Sequence, residues 1–129
     1  MRPRRLFSLC LTLVFLTTLC QAGNTRQVKV LLQFEYGSGF SKQFSAISVP
    51  EESTVLDVMK AMQKHAHRIP FKTRGSGTLS FVYEIDKIPN EGNGKNWMFY
   101  VNGKRANVGV GGFRINANDQ IVWKFEVFK

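Results

Sequence analysis

Cysteine occurs only twice in this chain of 129 residues, at Cys10 and Cys20, and both fall in the first twenty positions. Histidine also occurs twice, as His65 and His67, and nine acids face 18 lysines and arginines. Apolar stretches of membrane-spanning length are missing. The longest, from Leu6 to Leu19, falls short of the roughly 20 residues that a transmembrane helix needs. Gly-x-Ser-x-Gly is absent, as are internal repeats and low-complexity tracts. Each absence removes a class. Without cysteine beyond position 20, the remainder has no disulfide scaffold, thiolate metal site or cysteine nucleophile. An exported domain built from it must stand on its apolar core.

What is present at the start is ordered as in a secretory signal peptide. Basic Arg2, Arg4 and Arg5 precede the Leu6–Leu19 run, and small residues stand three and one positions before a cut after Ala22. The expected organisation is a signal peptide over residues 1–22 and one domain over residues 23–129, secreted or periplasmic. Lipidation at Cys20 is disfavoured, because Leu19 stands where such signals prefer a small residue. Losing three arginines leaves the domain basic, which biases it toward anionic partners without choosing among them.

Period-two patterns dominate the domain. Val28, Val30, Leu32, Phe34 and Tyr36 alternate with polar residues and predict a half-buried strand. Gly37-Ser38-Gly39 supplies a turn, and Phe40–Val49 a second strand. Its alternation breaks between Phe44 and Ile47, which predicts a bulge. One helix follows, from about Thr54 to Ala66. Thr54 and Asp57 form a capping-box pair, Val55, Val58, Met59, Met62 and Ala66 mark its apolar face, and Pro70 prevents continuation. Leu79, Phe81, Tyr83 and Ile85 predict another strand, Trp97, Phe99 and Val101 a further one, and Asn102-Gly103 a tight hairpin turn. Ile121, Trp123, Phe125 and Val127 share one face of the last strand. Hairpin, helix, then several strands is satisfied by an α+β mixed sheet packed on a single helix, the β-grasp or ubiquitin-like layout. An all-β sandwich is the competitor.

Little in this pattern promises catalysis. The acids are scattered apart from Glu51-Glu52, so no facing carboxyl pair is suggested. His65 and His67 are two apart with no third ligand nearby, and read as solvent-facing imidazoles rather than a metal site. The glycine run Gly109-Val110-Gly111-Gly112-Phe113 is not followed by a helix and so differs from a phosphate-binding loop. Its bare backbone could instead meet a flat ligand. Lys95, Lys104, Arg105 and Arg114 fall near aromatics, but solvated cations are the simpler reading and a nucleic-acid partner is disfavoured. The chain reads as a non-enzyme with no resident cofactor or metal.

The stretch Asn96-Trp97-Met98-Phe99-Tyr100-Val101-Asn102-Gly103 resembles the aromatic strand and turn of the transcobalamin-like C-terminal domain family. So do the Val-Gly-rich stretch Asn107–Gly112, the turn Asn118-Asp119 and the strand segment Ile121-Val122-Trp123, and Val49 to Asp57 looks like the family's approach to its helix. The resemblance covers Val28 to Phe128. It implies an exported β-grasp module that binds a ligand rather than catalysing, with cobalamin among the ligands implied. In vertebrate carriers such a domain covers one face of a corrin ring opposite a helical barrel, and this chain carries no barrel. The shared motif is largely scaffold and transfers no contact residues.

The resulting expectation is a monomeric domain binding a small molecule or another exported macromolecule. Its site is expected on the loops Asn107, Gly109, Gly111, Gly112 and Phe113, with Asn93 and Lys95 beside them. Lys95 or Arg114 would meet an anionic group. The alternative is an extracellular module for protein or anionic polysaccharide, acting through charge and an open sheet edge.

Overall fold

The expected hairpin forms from β1 (Gln27–Glu35) and β2 (Ser41–Pro50), which pair antiparallel in a computed structural model describing residues 23–129. The signal peptide expected over residues 1–22 lies outside the described residues. Val28, Val30, Leu32 and Phe34 are buried, as their alternation requires. The predicted bulge is present. Val30 pairs with Ile47 but Leu32 pairs with Phe44, so Ser45 and Ala46 together oppose Leu31. That extra residue lets Phe44 and Ile47 both point inward despite their odd spacing.

The helix α1 (Val55–Met62) begins where its cap predicts. Thr54 Oγ1 accepts from the Asp57 N–H at 3.3 Å, and Asp57 Oδ2 accepts from the Thr54 N–H at 2.8 Å. It ends a turn earlier than its sequence pattern suggests, and Ala66 is exposed rather than buried. The cause is a local fold-back. Met62 Sδ accepts from the Ile69 N–H, and the Gln63 side-chain amide donates to the Ile69 carbonyl at 2.7 Å. These bonds draw buried Ile69 under the helix end and leave residues 64–68 as exposed turns.

A second sheet follows, in the order β3 (Phe71–Arg74), β4 (Phe81–Ile85), β5 (Ile88–Pro89). Strand β3 carries no alternation and was not legible in the sequence. The predicted face Leu79, Phe81, Tyr83, Ile85 is corrected here. Leu79 sits on a 3₁₀ turn, 82% exposed, Phe81 is 54% exposed, and Val82 is buried instead. Thr73 pairs with Val82 and Lys72 with Glu84, so Tyr83 is the unpaired residue of a bulge, which returns Ile85 to the inner side.

The main sheet is completed by β6 (Lys95–Val101), β7 (Lys104–Arg105) and β8 (Gln120–Val127), in the order β2-β1-β8-β6-β7. Its central pair, β1 and β8, is parallel and the other pairs are antiparallel. Asn102 and Gly103 take positive φ between β6 and β7, as the turn signal predicts. The result is an α+β arrangement dominated by sheet, with one α-helix among the described residues. Val55, Val58, Met59 and Met62 of the helix share one buried core with Leu32, Phe34, Ile121 and Trp123 of the main sheet. No helix among the described residues is long and apolar enough to cross a membrane.

Candidate ligand cleft

Alternation along β6 and β8 turns Trp97, Phe99, Trp123 and Phe125 toward one side. Their rings pack in neighbouring pairs, Trp97 with Phe125 and Phe99 with Trp123, each at 5.1 Å between centroids. The small sheet is fastened to this row through polar bonds. Trp97 Nε1 donates to the Ile88 carbonyl at 2.9 Å, and the Trp97 N–H donates to Asn90 Oδ1 at 2.8 Å.

Between the two sheets opens a cleft of about 890 Å³. Phe81, Val82, Tyr83 and Pro89 line it from the small sheet, Trp97, Met98, Phe99 and Trp123 from the main sheet, and Ala106, Val110 and Phe128 from the intervening loop and the chain end. Its size lies within the range of about 300–1,000 Å³ usual for small-molecule sites. Two arginines join the lining, Arg74 from β3 and Arg105 from β7. Arg74 lies over the Tyr83 ring and Arg105 over the Phe128 ring, each 4.4 Å from the centroid. Neither forms an ion pair among the described residues. Trp123 is 2% exposed, and its Nε1 has no acceptor among the described residues. A buried donor without a partner is costly to the fold.

The eight residues expected from sequence do not gather into one place. Gly109 lines the cleft. Asn107, Phe113 and Arg114 line an adjoining depression of about 430 Å³, which shares Arg105 and Ala106 with the cleft. Gly112 is exposed and Gly111 half-buried. Asn93 and Lys95 line neither space. Lys95 begins β6, whereas the return toward Asn107 leaves from its far end, about 20 Å along the strand. Arg114 pairs with Glu52 at 3.5 Å, and the Phe113 ring packs edge-on against Phe99 at 5.9 Å. Arg74 carries no signal in the sequence, and Tyr83 and Trp123 read there as a strand and a core position. Nothing in a single sequence tells that strands β3 and β4 stand opposite β6.

The glycine loop is tied to the helix rather than open to an anion. The Val55 N–H donates to the Phe113 carbonyl and the Leu56 N–H to the Val110 carbonyl, both at 3.0 Å. Those carbonyls occupy the first amides of α1, the donors that an anion at a helix N-terminus would use. Among the described residues no three His, Cys, Asp or Glu side chains stand close enough to hold a metal. His65 Nδ1 accepts from the His67 N–H at 3.1 Å, and its ring stacks edge-on against Phe44.

A second polar cluster anchors the small sheet. Asp86, in the turn between β4 and β5, accepts from the Tyr36 hydroxyl at 2.8 Å and from Lys42 Nζ at 2.7 Å. Burial alone would raise the Asp86 carboxyl, but the Lys42 and Tyr36 hydrogen bonds outweigh it and hold it below its ordinary value. Burial, then the bond to Asp86, pushes the Tyr36 hydroxyl up. On the outer face, Tyr100 donates to Glu126, which raises that phenol too.

Residues 52–127 match a family described as Domain of unknown function (DUF4430). No curated protein matches the sequence. Among solved structures, the chain is similar to haptocorrin in complex with Cbi, with a TM-score of 0.67 at 15% identity. That match covers 80% of this chain and 26% of haptocorrin, so the chain spans about a quarter of that protein's length. It is also similar to a protein from Ruminococcus gnavus ATCC 29149 to which metal binding has been attributed, with a TM-score of 0.62 at 9% identity. This second match covers 79% of this chain and 99% of the other. Identities this low speak for a common fold.

Proposed function

We propose that this chain, which belongs to the DUF4430 family, is an exported, non-enzymatic domain of β-grasp type that binds a small molecule between its two sheets. The β-grasp reading is supported by the strand order, in which a hairpin-first chain sends its helix across before the last strand joins β1 in parallel. The observation that carries the binding reading is the 890 Å³ cleft with its aromatic lining and unpaired arginines. The likeness to haptocorrin, crystallised with Cbi, supports a ligand of corrinoid or similar flat form. A domain of this size shields one side of such a ligand, so affinity is modest unless a separate protein supplies another wall. Calorimetric titration with cobinamide, metal-free porphyrin and oligosaccharides tests the reading. Binding heat from a flat macrocycle is expected, and no heat from any of them with the fold intact ends it.

A second reading rests on the smaller depression, where Lys104, Arg105 and Arg114 stand together. These cations suit an anionic polysaccharide or an acidic protein surface. Retention on a heparin column that collapses at moderate salt would favour it over the cleft.

A further inference from the structure

We infer that the cleft takes a flat, apolar-bodied molecule carrying two carboxylates, held by Arg74 and Arg105. This deepens the small-molecule reading above and rests on it. Among the described residues no aspartate or glutamate lines the cleft, and the two guanidinium groups are its only formal charges. They come from different sheets, Arg74 from β3 and Arg105 from β7. Lys42, Lys72, Arg114 and Lys124 each have a carboxylate within 4.0 Å, whereas these two arginines have none among the described residues.

Each guanidinium instead lies over an aromatic ring, on Tyr83 and on Phe128. Stacking uses the flat face of the group and leaves its edge N–H donors for a planar acceptor. A carboxylate matches that edge with two parallel hydrogen bonds. No residue of the α1 start lines the cleft, so the backbone amides on which phosphate sites draw are not offered there, and carboxylate is favoured. The apolar body of the ligand is set by the lining, to which Phe81, Tyr83, Trp97 and Phe99 contribute aromatic surface.

The test compares protoporphyrin IX, a metal-free macrocycle with two carboxylates, with its dimethyl ester, which has the same body and no charge. Binding is read from quenching of tryptophan fluorescence at constant ionic strength, with circular dichroism to confirm the fold. The acid is expected to bind at least about tenfold tighter than the ester. Arg74→Gln and Arg105→Gln should each weaken the acid by about tenfold and leave the ester unchanged. Lys64→Gln, an exposed cation that lines neither the cleft nor the smaller depression, should alter neither. Equal binding of acid and ester overturns the charge assignment while leaving the cleft as a binding site. That comparison needs only the native chain and survives any folding defect in a variant. A preference for the acid that is undiminished in both Gln variants overturns the assignment to these arginines. If neither compound binds the folded chain, this inference and the small-molecule reading fall together.

Discussion

Gly111 and Gly112 are neighbours in one loop with opposite steric situations. A Cβ on Gly111 would stand 1.9 Å from the Gly77 carbonyl oxygen, whereas one on Gly112 would meet nothing closer than 3.8 Å. Neither has positive φ, so the difference is one of contact rather than backbone preference. Gly111→Ala is therefore expected to destabilise the domain by about 1–3 kcal/mol. Gly112→Ala should change stability by less than about 0.5 kcal/mol. Urea unfolding of both variants checks this, and equal midpoints would contradict the close approach of the 77 and 111 loops. The sequence marks both positions as glycine and cannot distinguish them. Gly77 is remote in the chain and becomes a neighbour only on folding.

Among the elements, α1 is the most exposed to its ends. Eight residues are too few for a helix to persist alone in water, so cap and core must hold it. Thr54→Ala removes one half of the reciprocal cap and is expected to cost about 1 kcal/mol. The glycine loop is hydrogen-bonded to the next two amides, so hydrogen exchange at Val55 and Leu56 should accelerate together. Exchange that quickens at Thr54–Asp57 but not in residues 109–113 would mean that loop and helix are less coupled than their bonds indicate. The cap was legible because Thr54 and Asp57 are three apart. The helix end was not, because the bonds that terminate it reach forward to Ile69, and Ala66 on its own looks like a further apolar position. The same contrast separates the strands. β1 shows its buried face through unbroken alternation, whereas β4 conceals its own behind a bulge at Tyr83.

The complete fold depends on joining two sheets, and the Tyr36–Asp86–Lys42 cluster is one of the joints. Asp86→Asn keeps a residue that tolerates the positive φ at this turn and removes the charge. After allowance for solvent screening, a loss of roughly 1 kcal/mol at neutral pH is expected. The pH dependence follows from the direction of each shift. The Asp86 carboxyl is depressed in the fold, so its stabilisation is present above the unfolded value near 4 and is lost as pH falls through the lower folded value. The Tyr36 hydroxyl is raised, so its contribution is present below about pH 10 and is lost as pH rises beyond. The stability gap between native chain and variant should narrow below about pH 4. A gap that is constant across acid pH would show that Asp86 acts through shape rather than charge.

Composition and spacing on their own determined that residues 23–129 are cysteine-free and sheet-rich, with one capped helix, a bulged first hairpin and an aromatic β6. These properties are local, since each depends on residues within a few positions of one another. The cleft was decided by tertiary structure. Arg74 and Arg105 are 31 positions apart in the chain and join one lining only because the small sheet folds against the main one. The glycine loop that looked free in the sequence is consumed in capping α1, because helix amides left without partners draw in whatever carbonyls the fold brings near.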